Sequence, residues 1–460
     1  MRKIETLHPK IPWGWVPLIS LCWVTTGYVE MCSGQPLTFV LRKFVNDPVR
    51  INQVLSINIL FNFMVGAVVG YVSDRIWTRL GRRRPFLIIG WTGVALMLFF
   101  IPTIKTFGML LVVVVIYQFF QDVAKPVEAL FNEVIPQPQR GRASTVRMVL
   151  NKCAGFVFGT YLIAQYDNKY SVTWLGTPVN FTGEHVVFWI GSAVLLSMSA
   201  FLLFGVRERP PLHGVEGLSF NPADFAKTVF GDRQLLMIYV MWLAPWLTVI
   251  AAGGNLTLLQ IDQIGFTKTQ LGKMAFVTMP FDFFIFTTIA GLLVDRVNRL
   301  RLMQLGLAIP AFLHLAFFFL LRYYWHYNVT MPVWIGYSLI VGFFAAWMHI
   351  AWGPTLFDYV PSNRMGALSA GLSIINGILG FFLINLGGYW VKFITAFLGP
   401  RGKGDYDYSS ILVLNFALSM VGLGMLFFFE HMVRRGKVIP VARIELMEEK
   451  KLEEKEGKPS

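Results

Sequence analysis

The chain has 460 residues, of which 55% are hydrophobic and only 14% are Asp, Glu, Lys or Arg. Because a soluble globular protein carries about 25% charged residues, this composition excludes that class and favours a protein whose surface faces lipid. The net charge of +14 does not indicate nucleic-acid binding, because the basic residues concentrate in short connectors between apolar runs and in the C-terminal tail, as the positive-inside rule expects.

Apolar runs of about 20 residues, the length that crosses the hydrocarbon as a helix, recur along the whole chain. Each is expected to be helical, because lipid offers no hydrogen-bond partner to an open backbone. The first run starts late and lacks the small-residue cleavage site of a signal peptide. The sequence therefore predicts an all-α membrane protein with about twelve spans, at residues 14–38, 52–73, 85–104, 107–133, 143–164, 186–206, 235–256, 273–294, 302–321, 333–357, 367–395 and 409–429.

Two motifs recur in the same order in the two parts of the chain. "GYVSDR" begins at Gly70 and "GLLVDR" at Gly291, whereas "EVIPQPQRG" begins at Glu133 and "DYVPSNRMG" at Asp358. The two pairs have nearly the same offset and the same position relative to the spans, which indicates a duplicated six-helix unit. The predicted organisation is an N-terminal half at 1–206, a cytoplasmic linker at 207–234, a C-terminal half at 235–433 and a charged cytoplasmic tail at 434–460.

The connector between spans two and three carries a family resemblance. "GYVSDR", followed after five residues by "GRRRPF" from Gly81, resembles the signature of the major facilitator superfamily. The five-residue separation, and "PVEALFNEVIP" from Pro126, are similar to sucrose:proton symporters and the related glycoside–pentoside–hexuronide:cation symporters, although Glu128 stands where that group has arginine. The resemblance implies two pseudo-symmetric six-helix halves, alternating access, and proton-coupled symport of a sugar or glycoside such as sucrose or maltose.

The charged residues of these connectors form a candidate gate. Acidic and basic groups at the cytoplasmic mouth can pair in one conformation and separate in the other. Topology alone, with contacts to lipid headgroups, would explain the arginines but not the carboxylates, because positive-inside is not a net-charge rule. The predicted inner-gate network comprises Asp74, Arg75, Arg82, Glu133, Asp295, Arg296 and Asp358.

Five charged residues inside the predicted spans are candidates for ion coupling. Asp122, Lys125 and Glu128 step by three along span four, so neighbours approach one another on the helix surface. Glu30 lies in span one and Lys152 in span five. If all five ionise, one negative charge is uncompensated, and such a carboxylate can carry a proton. Asp122 is the first choice, since sucrose symporters carry an aspartate early in this helix. A static cluster that fixes helix packing is the alternative.

Aromatic and polar side chains in the spans are candidates for solute binding. Indole rings suit the apolar face of a sugar, and amides suit its hydroxyl groups. The alternative for each residue is packing, because tryptophans belt the membrane interface and lone polar residues often bond a neighbouring helix. The predicted substrate-binding residues are Trp246, Asn376, Asn151, Asp282, His349 and Trp352.

Two rival functions stay open. Glu128 beside Lys125 favours proton-coupled efflux of a small amphipathic or cationic compound. A non-transporting assembly or pigment-delivery protein on the same scaffold is the other, since fold does not fix function. Enzymatic activity, a cofactor and a metal are not expected, because no nucleophile, phosphate-binding or metal-ligand motif is present. The expected partners are a small solute, H⁺ or Na⁺, and the lipid bilayer, with a monomer in a bacterial inner membrane and both termini cytoplasmic.

Overall fold

The structure, a computed structural model, describes residues 13–135, 137–174, 177–206, 208, 222–360 and 365–441. Most of them are helical, which confirms the predicted all-α class. Half of the predicted linker, residues 207 and 209–221, and the end of the charged tail lie outside the described residues. The described half of the linker is not simply an extended connector, because it contains the helix Pro222–Phe230.

The helices before the linker are mostly of membrane-spanning length or occur as pairs of shorter pieces. In chain order they are α1 (Trp15–Ser33), α2 (Gln35–Phe44), α3 (Pro48–Phe61), α4 (Ala67–Arg75), α5 (Arg84–Phe100), α6 (Phe107–Val123), α7 (Val127–Val134), α8 (Gln137–Val157) and α9 (Gly183–Phe204).

The helices from residue 222 onwards include the two longest described ones. They are α10 (Pro222–Phe230), α11 (Arg233–Ala252), α12 (Asn255–Leu258), α13 (Lys268–Pro280), α14 (Thr287–Val294), α15 (Arg299–Phe319), α16 (Met331–Tyr359), α17 (Met365–Leu398) and α18 (Ser410–Arg434). Two π-helical turns join shorter pieces into longer rods: Asn62–Gly66 between α3 and α4, and Phe281–Phe286 between α13 and α14. Three others extend the ends of α8, α12 and α15, at Phe158–Leu162, Leu259–Ile264 and Leu320–Tyr324.

Eight helical stretches among the described residues are long and apolar enough to cross a membrane. They are Pro48–Gly70, Arg84–Thr103, Gly183–Phe204, Lys268–Val294, Arg299–Tyr324, Met331–Leu356, Gly371–Leu398 and Ser410–Arg434. The other predicted spans coincide with α1, α6, α8 and α11.

A short β-hairpin between α8 and α9 was not expected from the sequence. Strands β1 (Lys169–Trp174) and β2 (Thr177–Thr182) pair antiparallel, with Val172 opposite Val179. Val172 and Val179 are exposed, so the hairpin is held by its ladder and by stacking of Tyr170 on Phe181 rather than by a core.

The chain divides into two compact units. The first comprises Met1–Ser219 and Gly265–Phe276, and the second comprises Phe220–Ile264 and Val277–Ser460. In the first unit, α5 and α9 meet through fully buried side chains that include Leu87, Leu98 and Phe188. The core of the second unit lies among α11, α15, α16 and α18 and includes Tyr239, Met303, Leu307, Met348 and Phe429.

Candidate functional site

Among the described residues of the first unit, two neighbouring cavities share Trp23, Thr26 and Glu30. One has a volume of about 210 Å³ and the other about 450 Å³. The remaining lining of the smaller cavity is Val29, Trp91, Val94, Gln121, Ala124, Lys125 and Val127. The remaining lining of the larger cavity is Gly27, Ser144, Thr145, Arg147, Met148 and Asn151.

A break in span four places Lys125 at the smaller cavity. Helix α6 ends at Val123 and α7 starts at Val127, with a turn at 124–126 between them. Pro126 lacks the N–H that would continue the helix, and a proline ring clashes with the carbonyl group of the preceding helical turn. The break exposes the Lys125 side chain, so that the ammonium group faces the cavity instead of an unbroken helix surface.

Asp122 lies beside Lys125 and is almost completely buried, with 1% of its surface exposed. Its Oδ1 is 3.7 Å from Lys125 Nζ, which is an ion pair but too long for a good hydrogen bond. Its Oδ2 has no hydrogen-bond partner in the described part of the chain. A Cβ added to Gly66 would lie 3.5 Å from Lys125 Cγ and 3.9 Å from Asp122 Oδ1. The π-helical turn that ends at Gly66 therefore packs against this ion pair.

Hydrogen bonds to α6 fix the part of α1 that carries Glu30. The Tyr117 hydroxyl donates to the Val29 carbonyl oxygen at 2.8 Å and lies 2.8 Å from Ser33 Oγ. Because these contacts flank Glu30 on both sides, its carboxylate projects from a rigid stretch of helix into both cavities.

The larger cavity has a cationic wall on α8. The Arg147 guanidinium carbon lies 4.2 Å from the ring centre of Trp23 and 5.0 Å from that of Phe131. Asn151 Nδ2 donates to the Trp23 carbonyl oxygen at 3.2 Å. It also lies 2.3 Å from the position of a Cβ on Gly27, so only glycine there lets α1 and α8 approach this closely.

In the second unit, three tryptophans contact one another. The ring centres of Trp242 and Trp352 are 3.5 Å apart, and those of Trp246 and Trp352 are 5.7 Å apart. Each indole N–H is buried and has no hydrogen-bond partner among the residues that the structure describes. The side-chain oxygen Oδ1 of Asn376 on α17 is likewise buried, and no donor among the described residues reaches it. A buried donor without an acceptor costs about 1–3 kcal/mol, so a cluster of three is unusual in a membrane core.

The structure leaves several predicted residues away from these sites. Asp282 and His349 are exposed, and neither lines a described cavity. Lys152 is half-buried on α8 and does not line either cavity. The side chain of Glu128 lies outside the described residues, so its place beside Lys125 stays a prediction.

The predicted gate is only partly described. The side chains of Asp74, Arg75 and Glu133 lie outside the described residues. Asp358 accepts two hydrogen bonds from Arg299 Nη1, at 2.7 and 2.6 Å, a partner that the sequence did not suggest. The remaining predicted members in the second unit are both exposed at the end of α14: Asp295 and Arg296.

The arginine-rich connector binds a carboxylate with its main chain. The backbone N–H groups of Arg82, Arg83 and Arg84 all donate to the carboxylate of Glu208, at 2.6–3.0 Å. Gly81 has a φ of +114°, and a Cβ there would lie 2.8 Å from the Glu208 carboxyl carbon. Arg84 also donates to the carbonyl oxygens of Leu202 and Leu203 at the end of α9, so this arginine serves packing within the unit as well as topology.

Most of the cavity residues were absent from the sequence-based site, among them Trp23, Thr26, Trp91, Gln121 and Arg147. Arg147 carried the clearest signal in the sequence, because it is a charged residue within a predicted span. The others are apolar or neutral, and their type alone does not distinguish a cavity wall from a helix–helix contact.

Comparison with known proteins agrees with this architecture. Residues 20–385 match the family model described as Major Facilitator Superfamily. No curated protein sequence matches the chain. The peptide transporter PepTSo of the POT family is 11% identical with a TM-score of 0.67, and covers 93% of this chain and 99% of its own.

Two further solved structures are similar. A bacterial homologue of the human lysosomal transporter Spinster, inward-facing and unoccupied, is 13% identical with a TM-score of 0.66, covering 91% of this chain and 97% of its own. A mutant of the nucleoside transporter NupG is 16% identical with a TM-score of 0.63, covering 91% and 98%. At these identities the likeness concerns the fold alone.

Proposed function

Because the chain belongs to the major facilitator superfamily, whose members are membrane transporters, we propose that it moves a small polar solute by alternating access, coupled to protons, and that the solute is a sugar or glycoside. The observation that carries the coupling is Asp122, which is buried beside Lys125 and has one carboxylate oxygen without a hydrogen-bond partner among the described residues. Lys125, but not Asp122, lines the smaller cavity. The resemblance to sucrose symporters supports the solute class.

Asp122 has the properties that proton coupling needs. With Lys125 beside it, the ionised carboxylate belongs to a neutral pair. A conformational change that moves the ammonium group away would leave an isolated charge in an apolar environment, where a proton is the smallest compensating cation. Lys125 stands at a helix break and faces the cavity, so its side chain can move without unfolding α6.

The walls of both units suit a hydroxyl-rich solute. Thr26, Gln121 and Asn151 offer donors and acceptors in the first unit, next to the ring of Trp23. In the second unit, the indole N–H groups of Trp246 and Trp352 have no hydrogen-bond partner among the described residues and would find acceptors in sugar oxygens.

The test is uptake of labelled sucrose, maltose and a glycoside panel into proteoliposomes, with and without an imposed pH gradient. The natural chain is compared with Asp122→Asn and with Asp405→Asn, which removes an exposed loop carboxylate. We expect gradient-driven accumulation in the natural chain and in Asp405→Asn. In Asp122→Asn we expect accumulation to collapse to the level without a gradient, while counterflow exchange persists.

Three outcomes would redirect the proposal. Accumulation that survives in Asp122→Asn would transfer coupling to Glu30 or Glu128. Accumulation driven by a Na⁺ gradient instead of a pH gradient would replace the ion. An absence of flux for every glycoside, with a folded protein, would reject the sugar and leave efflux of another compound or an assembly role on the same scaffold.

Efflux of a cationic amphipathic compound is the second candidate, and one observation favours it. Glu30 lines both cavities together with Trp23, and Trp91 lines the smaller one. A carboxylate among indole rings suits a cation as well as a sugar. Proton-driven uptake of an organic cation into vesicles acidified inside, with no glycoside flux, would establish this function instead.

We also propose that the connectors gate access. The Arg299–Asp358 pair and the described end of α14, with Asp295 and Arg296, lie at the ends of their helices in the second unit. Charged groups at helix ends can exchange partners when helices move, at a modest cost per exposed pair.

A further inference from the structure

The first unit holds an ammonium group in an aromatic enclosure. Lys268 Nζ lies 4.4 Å from the ring centre of Tyr166 and 5.0 Å from that of Phe39, and 2.5 Å from Asp167 Oδ1. The two rings meet edge to face at 5.2 Å, with an angle of 73° between their planes. Two ring faces and one carboxylate around a single nitrogen are the arrangement that binds organic ammonium ions in proteins.

We propose that Phe39, Tyr166 and Asp167 form a binding site for an ammonium ion, that Lys268 is its resident occupant, and that an alkylammonium ion from solution takes the same position when Lys268 is absent or displaced. The site is independent of the cavity and of the proposed transport function.

The two aromatic rings distinguish the Lys268–Asp167 contact from an ordinary surface ion pair. The Asp167 side chain is 65% exposed, and an exposed ion pair alone contributes about 0–1 kcal/mol. The Lys268 side chain is only 19% exposed, so its ammonium group has lost much of its water. Phe39 and Tyr166 are buried, with 3% and 1% of their surfaces exposed. A partly desolvated cation over two ring faces gains more than one in water.

The enclosure does not depend on Lys268 for its shape. Tyr166 lies in a turn whose backbone is held by Asn168, which donates to Gln165 and accepts from Gly183 at 2.8 Å. A Cβ on Gly183 would lie 1.7 Å from the Gln165 carbonyl oxygen, so this turn sits directly on the start of α9. Phe39 is fixed on α2.

The segment that carries Lys268 has its own attachments to the same unit. Thr269 Oγ1 donates to the Ala164 carbonyl oxygen at 3.1 Å. A Cβ on Gly272 would lie 2.7 Å from the Thr160 carbonyl oxygen, and the rings of Phe276 and Phe156 are 5.7 Å apart. Removing the Lys268 side chain should therefore empty the enclosure and leave its walls in place.

The test is chemical rescue of Lys268→Ala, made in the full chain and reconstituted in lipid nanodiscs. We expect a lower unfolding temperature than that of the natural chain, restored saturably by methylammonium chloride but not by NaCl at equal ionic strength. The matched control is Lys273→Ala, which removes an exposed lysine from the same segment; methylammonium should leave its unfolding temperature unchanged. Adding Phe39→Leu to Lys268→Ala should weaken the rescue by about threefold to tenfold in half-maximal concentration.

Three results would overturn the proposal: no rescue, equal rescue by NaCl, or equal rescue of the Lys273→Ala control. If Lys268→Ala does not fold, the natural chain still tests it. Reductive methylation with ¹³C-formaldehyde keeps the lysine charge, and ring currents should shift the Lys268 methyl resonance upfield. Tetramethylammonium should return that resonance toward the position of an exposed lysine, and a Lys268 resonance without an upfield shift would reject the enclosure.

Discussion

At the scale of single residues, the most deeply buried ion pair described joins a connector to the end of a membrane-crossing stretch. Asp407, fully buried between α17 and α18, forms an ion pair with Arg322. It also accepts hydrogen bonds from Gln263 Nε2 at 3.0 Å and from Ser409 Oγ at 2.5 Å. Burial raises the pKa of Tyr327, so its hydroxyl keeps its proton and donates to the same carboxylate at 3.4 Å.

This network predicts a large stability loss for Asp407→Ala. The change leaves the Arg322 guanidinium buried without its counter-ion, which typically costs about 3–5 kcal/mol. Asp405→Ala, which removes an exposed carboxylate two residues away, should change the free energy of unfolding by less than about 0.5 kcal/mol. Thermal or denaturant unfolding of the two purified variants measures the difference.

The double variant Asp407→Leu, Arg322→Met separates charge from packing. Removing both ions should cost less than Asp407→Ala alone, because no unpaired charge then remains buried. Equal losses in the single and double variants would show that the connector is held by its backbone contacts and that the ion pair contributes little.

At the scale of elements, the carboxylate of Glu208, which follows α9, is one of the contacts that hold the end of α9 against the start of α5. Three consecutive N–H groups donate to it, and the first turn of a helix has no acceptors of its own for such donors. A carboxylate at this position also interacts favourably with the helix dipole.

Glu208→Ala should therefore increase hydrogen exchange at the amides of Arg82, Arg83 and Arg84. Loss of a charge-assisted hydrogen bond of about 1.5 kcal/mol corresponds to roughly a tenfold fall in protection. Glu208→Gln keeps one acceptor oxygen and should lose less. The Thr78 amide, which donates to the Gly81 carbonyl oxygen, is the internal reference. Unchanged exchange at Arg82–Arg84 would mean that the connector is ordered without Glu208.

The sequence predicted the positions of the helices better than the π-helical turns and the hairpin that interrupt or connect them. Each predicted span has a helix, because an apolar run of that length has no other stable form in lipid. The break at 124–126 follows from Pro126, whose missing N–H is visible in the sequence. The π-helical turn at Asn62–Gly66 and the hairpin at 169–182 were not predicted, because they depend on packing neighbours and on cross-strand partners that no local pattern records.

The candidate site was predictable only where it carries charge. Asp122, Lys125 and Glu30 were found because ionisable groups are rare and expensive within a span. Trp23, Trp91 and Gln121 were not, since an indole or amide in a span has several ordinary uses. Charge also misled in one case: Asp282 was predicted to bind substrate because it is an acid in the middle of a span. The structure leaves it exposed and away from both cavities.

At the scale of the whole molecule, the division into units departs from a simple cut at the linker. The predicted halves assign all of α13 to the second, whereas contacts assign Gly265–Phe276 to the first unit. The chain leaves the second unit at Gly265, where φ is +88°, and returns to it at Val277, three residues before Pro280 ends α13. One stretch of the C-terminal sequence therefore completes the N-terminal unit.

This division predicts the outcome of splitting the chain. Fragments 1–219 and 220–460, expressed together, should copurify, because the second fragment supplies the 12-residue segment Gly265–Phe276 to the first unit. Gly272→Leu should weaken the association, since even a Cβ at this position would lie 2.5 Å from Ala164 Cβ. Gly291→Leu is the matched control, because no atom lies within 4 Å of its Cβ position. Recovery of the first fragment on a tag carried by the second measures the effect. Equal recovery for both variants would show that the segment does not hold the fragments together.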